Sequence, residues 1–277
     1  MPITTHTIRD SKKQNRKIIA LTAYDYSTAK ILDKSGVDLI LVGDSLAQVA
    51  LGYDSTLPLT MDEMLHHAKA VIRGVKNALV VVDLPFLSYQ VSKKDAIYNA
   101  GRCLQIGAHA VKLEGASEYI LKIIKKMVSV GIPVLGHIGF TPQSVNALGG
   151  NKVQAKTANE AHKLVLQAKD LQDAGCFAVV VELVPSESAT LITESLDIPV
   201  IGIGAGSGCD GQILVTDDLL GKFIDFKPSF VKRYLESGKD SEDAIKRFIN
   251  DVKESKYPSD SESFFMTESE AEKIKTN

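Results

Sequence analysis

The chain has 277 residues, 44% hydrophobic and 24% charged, with 20 glycines and 9 prolines, which excludes disorder and collagen-like repeats and suits one large barrel or two ordinary domains. Its 32 Lys and Arg nearly cancel 34 Asp and Glu, and a formal charge of −2 gives no general field for nucleic acid or an anionic membrane. No apolar run approaches the roughly 20 residues of a bilayer span, and the opening MPITTHTIRDSKKQNRK lacks the apolar core of a secretory signal, so a cytoplasmic protein is expected. Cys103, Cys176 and Cys209 lie far apart and fit no C-x-x-C pattern, and any disulfide would leave one unpaired. They read as buried packing residues in a reducing compartment.

In chain order, the polar stretch from Thr4 to Arg16 reads as a helix closing the floor of a barrel or as a frayed terminus. Short runs of β-branched and aliphatic residues then mark strands: IIALTAY (18–24), DLILVGD (38–44), LVVVDLP (79–85), AVKLEG (110–115), IPVLGHIG (132–139), FAVVVELVP (177–185), PVIGIGAG (199–206) and GQILVTD (211–217). Most are apolar on both faces, as parallel strands with helices outside should be. Between them lie stretches with helical spacing and start signals. Thr60 with Glu63 and Thr157 with Glu160 read as capping boxes, and Ser92 and Ser117 as simple caps. Gly107, Gly131 and Gly175 each follow an apolar stripe where a helix should end. The spans Leu46–Thr60 and Phe140–Lys156 read as long non-helical connections after strands, of the kind that form lids. The alternation predicts a single (β/α)₈ TIM barrel over 1–257, with an N-terminal capping segment and a C-terminal helical extension. A doubly wound open sheet is the second choice. The charged tail, 258–277, should pack in part, through Tyr257, Phe264 and Phe265 at its start, and then fray.

In such a barrel the chemistry lies at the C-terminal ends of the strands. Those ends carry Asp44 and Ser45, then Asp83, Lys112 with Glu114, His137 and Glu182. Four carboxylates around one lysine would be strongly unfavourable without a cation. Oxygen-only ligation favours Mg²⁺ over Zn²⁺, with Asp44 and Asp83 as ligands. Glu114 either ligates directly, reaches the metal through water, or pairs with Lys112, and the water-mediated role ranks first. Glu182 has apolar neighbours, so it needs a raised pKa or a polar pocket, and either suits a general base. Singly, each has a bland reading: an aspartate after a strand is more often a cap than a ligand, and His137 could be a core histidine. The joint pattern favours chemistry. His66, His67, His109 and His162 lie in helices or just before a strand and are assigned none. Gly206-x-Gly208-x-x-Gly211 matches the dinucleotide-binding expression, but it leads into a strand rather than a helix and is rejected. Gly202, Gly204, Gly206 and Gly208 instead let the backbone approach a planar ligand or fold tightly at the mouth.

The segments LTAYDY, LILVGDS, LGYDSTLPLTMDEM, VVVDLPFLSYQVS, AVKLEGA, GHIGFTPQSVNALGGNKVQAKT, VELVPSE, PVIGIGAGSGCDGQILV and SFVKRY closely resemble the ketopantoate hydroxymethyltransferases, from about residue 3 to about residue 265. The resemblance implies a TIM barrel of the phosphoenolpyruvate/pyruvate superfamily. Its reaction transfers a hydroxymethyl group from 5,10-methylenetetrahydrofolate to 2-oxoisovalerate in pantothenate synthesis, with Mg²⁺, in a homo-oligomer that is commonly a decamer. Motif by motif, it implies Asp44 and Asp83 as metal ligands, Ser45, Lys112, Glu114 and His137 as keto-acid contacts, and Glu182 as the catalytic base. Together with the strand-end argument this gives Asp44, Asp83 and Glu114 to the metal, with Asp44 and Asp83 also meeting the 2-oxo acid. Tyr53, Ala47 and Asp217 depart from the family pattern, in loops near the mouth, which bears on the folate contacts more than on the reaction.

The alternative is another Mg²⁺-dependent 2-oxo-acid lyase or mutase of the same superfamily. Such enzymes typically need a catalytic Cys or an arginine cluster, and no such cluster is visible here. A barrel that has lost activity and serves as a scaffold predicts erosion at the strand ends, yet Asp44, Asp83, Glu114, His137 and Glu182 are all intact.

Overall fold

The computed structural model of the chain describes residues 2–275. Met1, Thr276 and Asn277, at the outer ends of the expected barrel and tail, lie outside the described residues. Eight parallel strands close a barrel in chain order: β1 (Ile18–Thr22), β2 (Leu39–Val42), β3 (Leu79–Asp83), β4 (Ala110–Glu114), β5 (Val134–Gly139), β6 (Ala178–Glu182), β7 (Val200–Ile203) and β8 (Gly211–Leu214). β8 pairs with β1 through Ile18–Gly211 and its neighbours, so the ring has no free edge. Seven strands stop short of the expected run because the residues after them turn outward into the rim; β5 ends at Gly139 as expected and is shorter only at its start.

The helices are α1 (Thr5–Lys13), α2 (Tyr26–Lys34), α3 (Leu46–Val49), α4 (Met61–Gly74), α5 (Lys93–Gln105), α6 (Glu118–Ser129), α7 (Val145–Leu148), α8 (Ala158–Asp173), α9 (Ser186–Glu194), α10 (Thr216–Leu219), α11 (Ser237–Lys253) and α12 (Glu268–Lys275). The cap signals operate as the sequence implies. Glu63 N donates to Thr60 Oγ1 at 3.2 Å while Thr60 N donates back to the Glu63 carboxylate at 2.8 Å. Thr157 and Glu160 repeat the reciprocal pair before α8. Ser92 and Ser117 cap α5 and α6. All three cysteines are free and buried.

Apolar side chains fill two layers. The larger lies between strands and helices, where the α4 stripe of Met64, Leu65, Ala68 and Val71 meets Val80 and Val82. The smaller fills the barrel interior with Ala20, Leu39, Leu41, Val81, Leu135, Val180, Ile201 and Ile213. Ile8 of α1 is wholly buried in this inner layer, so the Thr4–Arg16 stretch forms the floor helix and is not frayed. Burying such a side chain stabilises by about 1.5–3 kcal/mol, which is what holds an otherwise polar helix in place.

Two expectations need correction. The connections after β2 and β5 are not free of helix. The first contains α3, and the second contains a 3₁₀ turn at Pro142–Ser144 followed by α7. These pieces are too short to show a helical period, which is why the sequence conceals them. Nor do the tail aromatics pack into the molecule: Tyr257, Phe264 and Phe265 are 45%, 104% and 72% exposed. They cannot reach the core because α11 before them buries none of its side chains, and Tyr257 finds only Phe248 of α11, edge-on at 5.3 Å.

Candidate active site

Strand register gathers the site. Asp83 stands beside Lys112, Glu114 beside His137, and Gly139 beside Glu182 in the paired strands. Alternation turns Asp83, Lys112, Glu114, His137 and Glu182 inward above the inner apolar layer, with Glu114 one inward position nearer the rim than Lys112 on the same strand. Asp44 and Ser45 enter from the turn after β2. All seven expected residues line one cavity of about 720 Å³ at the C-terminal rim. The five at its base, Asp44, Asp83, Lys112, Glu114 and His137, are buried.

Close backbone approach makes this possible at β5 and β6. Gly139 has φ 92°, and a Cβ on it would stand 2.3 Å from the Glu182 carbonyl oxygen, so a side chain there would push β6 away. Directly after the carboxylate, Leu183 adopts φ 49°, an uncommon value for a branched residue, anchored by a bond from its N–H to the Ile203 carbonyl at 2.9 Å.

The polar network is dense. Lys112 Nζ donates to Asp83 Oδ1 at 2.6 Å, and the Asp44 N–H donates to Asp83 Oδ2 at 2.9 Å. His137 lies between two acids, Nδ1 3.5 Å from Glu114 Oε1 and Nε2 3.2 Å from Glu182 Oε2. These contacts are close enough for ion pairing but are not aligned as hydrogen bonds, so both ring nitrogens and Glu114 Oε1 are buried with none.

The electrostatics follow. Burial, then Asp83 and Glu114, push the Asp44 carboxyl up to about 8, against the opposing pull of Lys112. Burial disfavours a charge on Lys112, but Asp83, Glu114 and Asp44 outweigh it and hold the ammonium above its ordinary range. Burial and Lys112 likewise oppose protonation of His137, yet Glu114 and Glu182 raise it to about 9. Across the cavity Asp218 is raised to about 6 by burial and by Asp217, with Arg233 acting against them.

Three residues of the site carry no signal in sequence. Gln143, in the 3₁₀ turn after β5, donates through Nε2 to Asp44 Oδ2 and to the Leu84 carbonyl, both at 3.0 Å. Its backbone N–H donates to Glu114 Oε2 at 3.0 Å. Tyr89, wholly buried, donates from its hydroxyl to Gln143 Oε1 at 2.8 Å, which fixes which end of the amide faces Asp44. Tyr24 holds the Ser45 hydroxyl at 2.8 Å. No spacing rule marks a glutamine or tyrosine in a connection, and only the TPQ and LSYQ context of the quoted segments hinted at them.

The remaining sequence features fall outside the chemistry. His67 contacts the Tyr24 carbonyl, His109 accepts from the Val80 N–H, and His162 contacts the Ala158 carbonyl in its own helix. Gly202, Gly204, Gly206 and Gly208 do not line the cavity; Gly206 and Gly208 pack tightly on Ser186 and Thr190 of α9. Tyr53 donates to Glu63, Ala47 is buried, and Asp217 pairs with Lys222 at 3.2 Å.

Residues 2–260 match the ketopantoate hydroxymethyltransferase family. The 3-methyl-2-oxobutanoate hydroxymethyltransferase of Acetivibrio thermocellus is 55% identical over 262 residues, 94% of this chain and 92% of the relative. That of Carboxydothermus hydrogenoformans is 52% identical over 273 residues, 98% of this chain and 99% of the relative. Among solved structures, phosphonopyruvate hydrolase in complex with oxalate and Mg²⁺ superposes with a TM-score of 0.62 at 11% identity, covering 99% of this chain and 95% of that one. A 2,3-dimethylmalate lyase, a member of the PEP mutase/isocitrate lyase superfamily, gives 0.61 at 14% identity, covering 100% and 99%. These distant likenesses concern the fold. The strand-end acids, the closed barrel and the match over nearly the whole chain together place this protein in the ketopantoate hydroxymethyltransferase family.

Proposed function

We propose that the protein joins the one-carbon unit of 5,10-methylenetetrahydrofolate to C3 of 2-oxoisovalerate, giving ketopantoate and tetrahydrofolate for pantothenate synthesis, as the names of its relatives imply. The observation that carries the reading is the arrangement at the cavity base: Glu182 stands apart from the Asp44, Asp83 and Glu114 carboxylates, across His137.

The residues at the base fit a divalent cation. Four carboxylates, Asp44, Asp83, Glu114 and Glu182, face two cations, Lys112 and protonated His137, a shortfall of two positive charges when every acid is ionised. Glu114 Oε1 is buried without a hydrogen bond. Among the described residues no three His, Cys, Asp or Glu side chains cluster as a ready-made metal site. Mg²⁺ takes one or two carboxylates and fills its remaining positions with water and substrate oxygens. Asp44 and Asp83 would hold it, with Glu114 acting through water. When bound there, it supplies Lewis-acid polarisation of the keto oxygen, which acidifies the proton on C3.

The protein's own groups then divide the work. Glu182 takes the C3 proton. His137 engages one Glu182 oxygen at 3.2 Å and leaves the other without a partner among the described residues, open to face the substrate. Lys112 and Gln143 fix the Asp83 and Asp44 carboxylates in place, and Ser45, set by Tyr24, contacts the 2-oxo acid. The C3 carbanion attacks the methylene carbon as that carbon's bond to N10 breaks and the C–C bond forms; water then supplies the hydroxyl as the second bond, to N5, breaks, and the two nitrogens take up the C3 proton and one proton of the water. The same reading takes the enzyme as a cytoplasmic homo-oligomer, supported by the exposed apolar stripe of Ile245, Phe248, Ile249 and Val252 on α11. No helix among the described residues is long and apolar enough to cross a membrane.

The test is exchange of the C3 proton of 2-oxoisovalerate in D₂O, followed by NMR, with Mg²⁺ or with EDTA. Exchange should depend on the metal, and Glu182→Gln should lower its rate by at least about 10²-fold. Undiminished exchange in that variant removes Glu182 from the mechanism.

A further inference from the structure

The cavity is larger than its base requires. A 2-oxo acid of eight heavy atoms occupies on the order of 150 Å³, whereas about 720 Å³ is present, a volume suited to a much larger ligand. The upper part is built differently from the base. Phe140, Val145 and Leu183 form one side, and Phe223, Phe226 and Phe230 come from the strap that follows α10. Phe230 sits flat against the backbone at Gly204, where a Cβ would stand 3.0 Å from its ring. Such walls accept a flat ring and offer it no hydrogen bonds.

Polar side chains share the lining, among them Gln48, Asp54, Thr56 and Asn151, and of the two acids away from the base Asp54 is exposed while Asp218 is buried. Asp218 lies on α10, is only 8% exposed and lines the cavity, yet its carboxylate makes no hydrogen bond and no ion pair with the described residues. Its neighbour Asp217 is satisfied by Lys222, so the two acids have different roles. Arg233 makes no direct contact with Asp218: Nη1 donates to Glu236 and Nη2 to the Phe223 carbonyl, both at 3.0 Å, while Nε is buried without a partner among the described residues. A carboxylate largely withdrawn from solvent and without protein donors is held at a cost, and its oxygens, still open to the cavity, are placed to take donors from a ligand there. Two adjacent N–H donors in one plane match the two oxygens of a carboxylate, as in an arginine pair.

We infer that Asp218 binds the N–H edge of the one-carbon carrier's bicyclic ring, accepting from the ring N–H and the neighbouring 2-amino group of a pterin held between the aromatic walls. The inference rests on the folate-dependent reading above and adds a residue to it. It also orients the carrier: with the amino-pyrimidine edge on Asp218, the one-carbon unit at the opposite side of the bicycle is turned toward Glu182 and the bound 2-oxo acid.

The experiment uses the full-length Mg²⁺ enzyme with 2-oxoisovalerate bound and tetrahydrofolate, which carries no one-carbon unit and cannot turn over. Affinities for tetrahydrofolate and for its 2-desamino analogue are measured by equilibrium dialysis under argon, in the wild type and in Asp218→Asn. The wild type should prefer tetrahydrofolate by about ten- to one-hundred-fold, the loss expected for a hydrogen bond to a buried charge. Asp218→Asn should bind the two nearly alike. A wild type that binds both equally, or a variant that keeps the full preference, overturns the assignment. If the variant does not fold, the wild-type comparison alone decides. C3 exchange in the wild type, recorded first, separates the failures: without it the catalytic reading falls and takes the inference with it, whereas exchange without discrimination removes Asp218 alone.

Discussion

Binding of Mg²⁺ should release a proton, and the amount should follow Asp44. Burial and the neighbouring Asp83 and Glu114 raise its carboxyl to about 8, so in the metal-free protein it is about nine-tenths protonated at pH 7 and about one-tenth protonated at pH 9. A cation ligated by Asp44 must displace that proton. Titration calorimetry in buffers of different ionisation enthalpy should therefore count about 0.9 proton per site at pH 7 and about 0.1 at pH 9. Affinity should rise about tenfold per pH unit below pH 8 and then level off. The sign for stability is set by the same shift. A carboxyl whose folded pKa lies above its unfolded value favours folding fully below the unfolded value of 3.8, and that contribution is lost as pH rises through about 8. EDTA-treated protein should accordingly melt lower at pH 8 than at pH 6, and Mg²⁺ should close the gap. Release below about 0.3 proton at pH 7, or the same release at both pH values, would refute the view that Asp44 is a buried, metal-displaced acid.

Other perturbations separate the roles of neighbouring groups. Gln143→Leu removes the amide that orients Asp44 and leaves the buried Tyr89 hydroxyl without its acceptor, so Mg²⁺ affinity by calorimetry and C3 exchange should both fall by about tenfold or more. Retention of wild-type metal affinity would argue that Asp44 needs no such support. Lys112→Met strands the Asp83 carboxylate in the buried base and should cost about 3–5 kcal/mol of unfolding free energy in urea. A smaller loss in the presence of Mg²⁺ is expected, since the ion replaces the missing charge. Ile8→Ala should lower stability by about 2–5 kcal/mol with little change in the keto-acid KM, because the floor lies at the far end of the barrel from the site.

What could be read in advance follows physical lines. Asp44, Asp83, Lys112, Glu114, His137 and Glu182 end apolar strand runs, and a charged residue at such a place stands out because nothing else there is polar. Closing eight strands in chain order makes β4 and β5 neighbours, and the register of that pair sets Glu114 beside His137. Gln143, Tyr89 and Tyr24 were not legible, because they reach the site through tertiary contact from connections whose path no periodicity encodes. Short helices such as α3 and α7 span barely a turn and leave no repeat to detect. Phe264 and Phe265 misled for the opposite reason: aromatic side chains suggest packing wherever they occur, but the tail follows a helix that stands off the barrel.

The lateral alignment of the strands makes the stagger of the barrel a chemical parameter. Asp83 with Lys112, Glu114 with His137 and Gly139 with Glu182 are matched rung to rung, so deleting a single residue within β4 would turn Leu113 inward in place of a charged neighbour. Length changes are therefore tolerable in the outer turns and helices and intolerable inside the staves, even far below the rim.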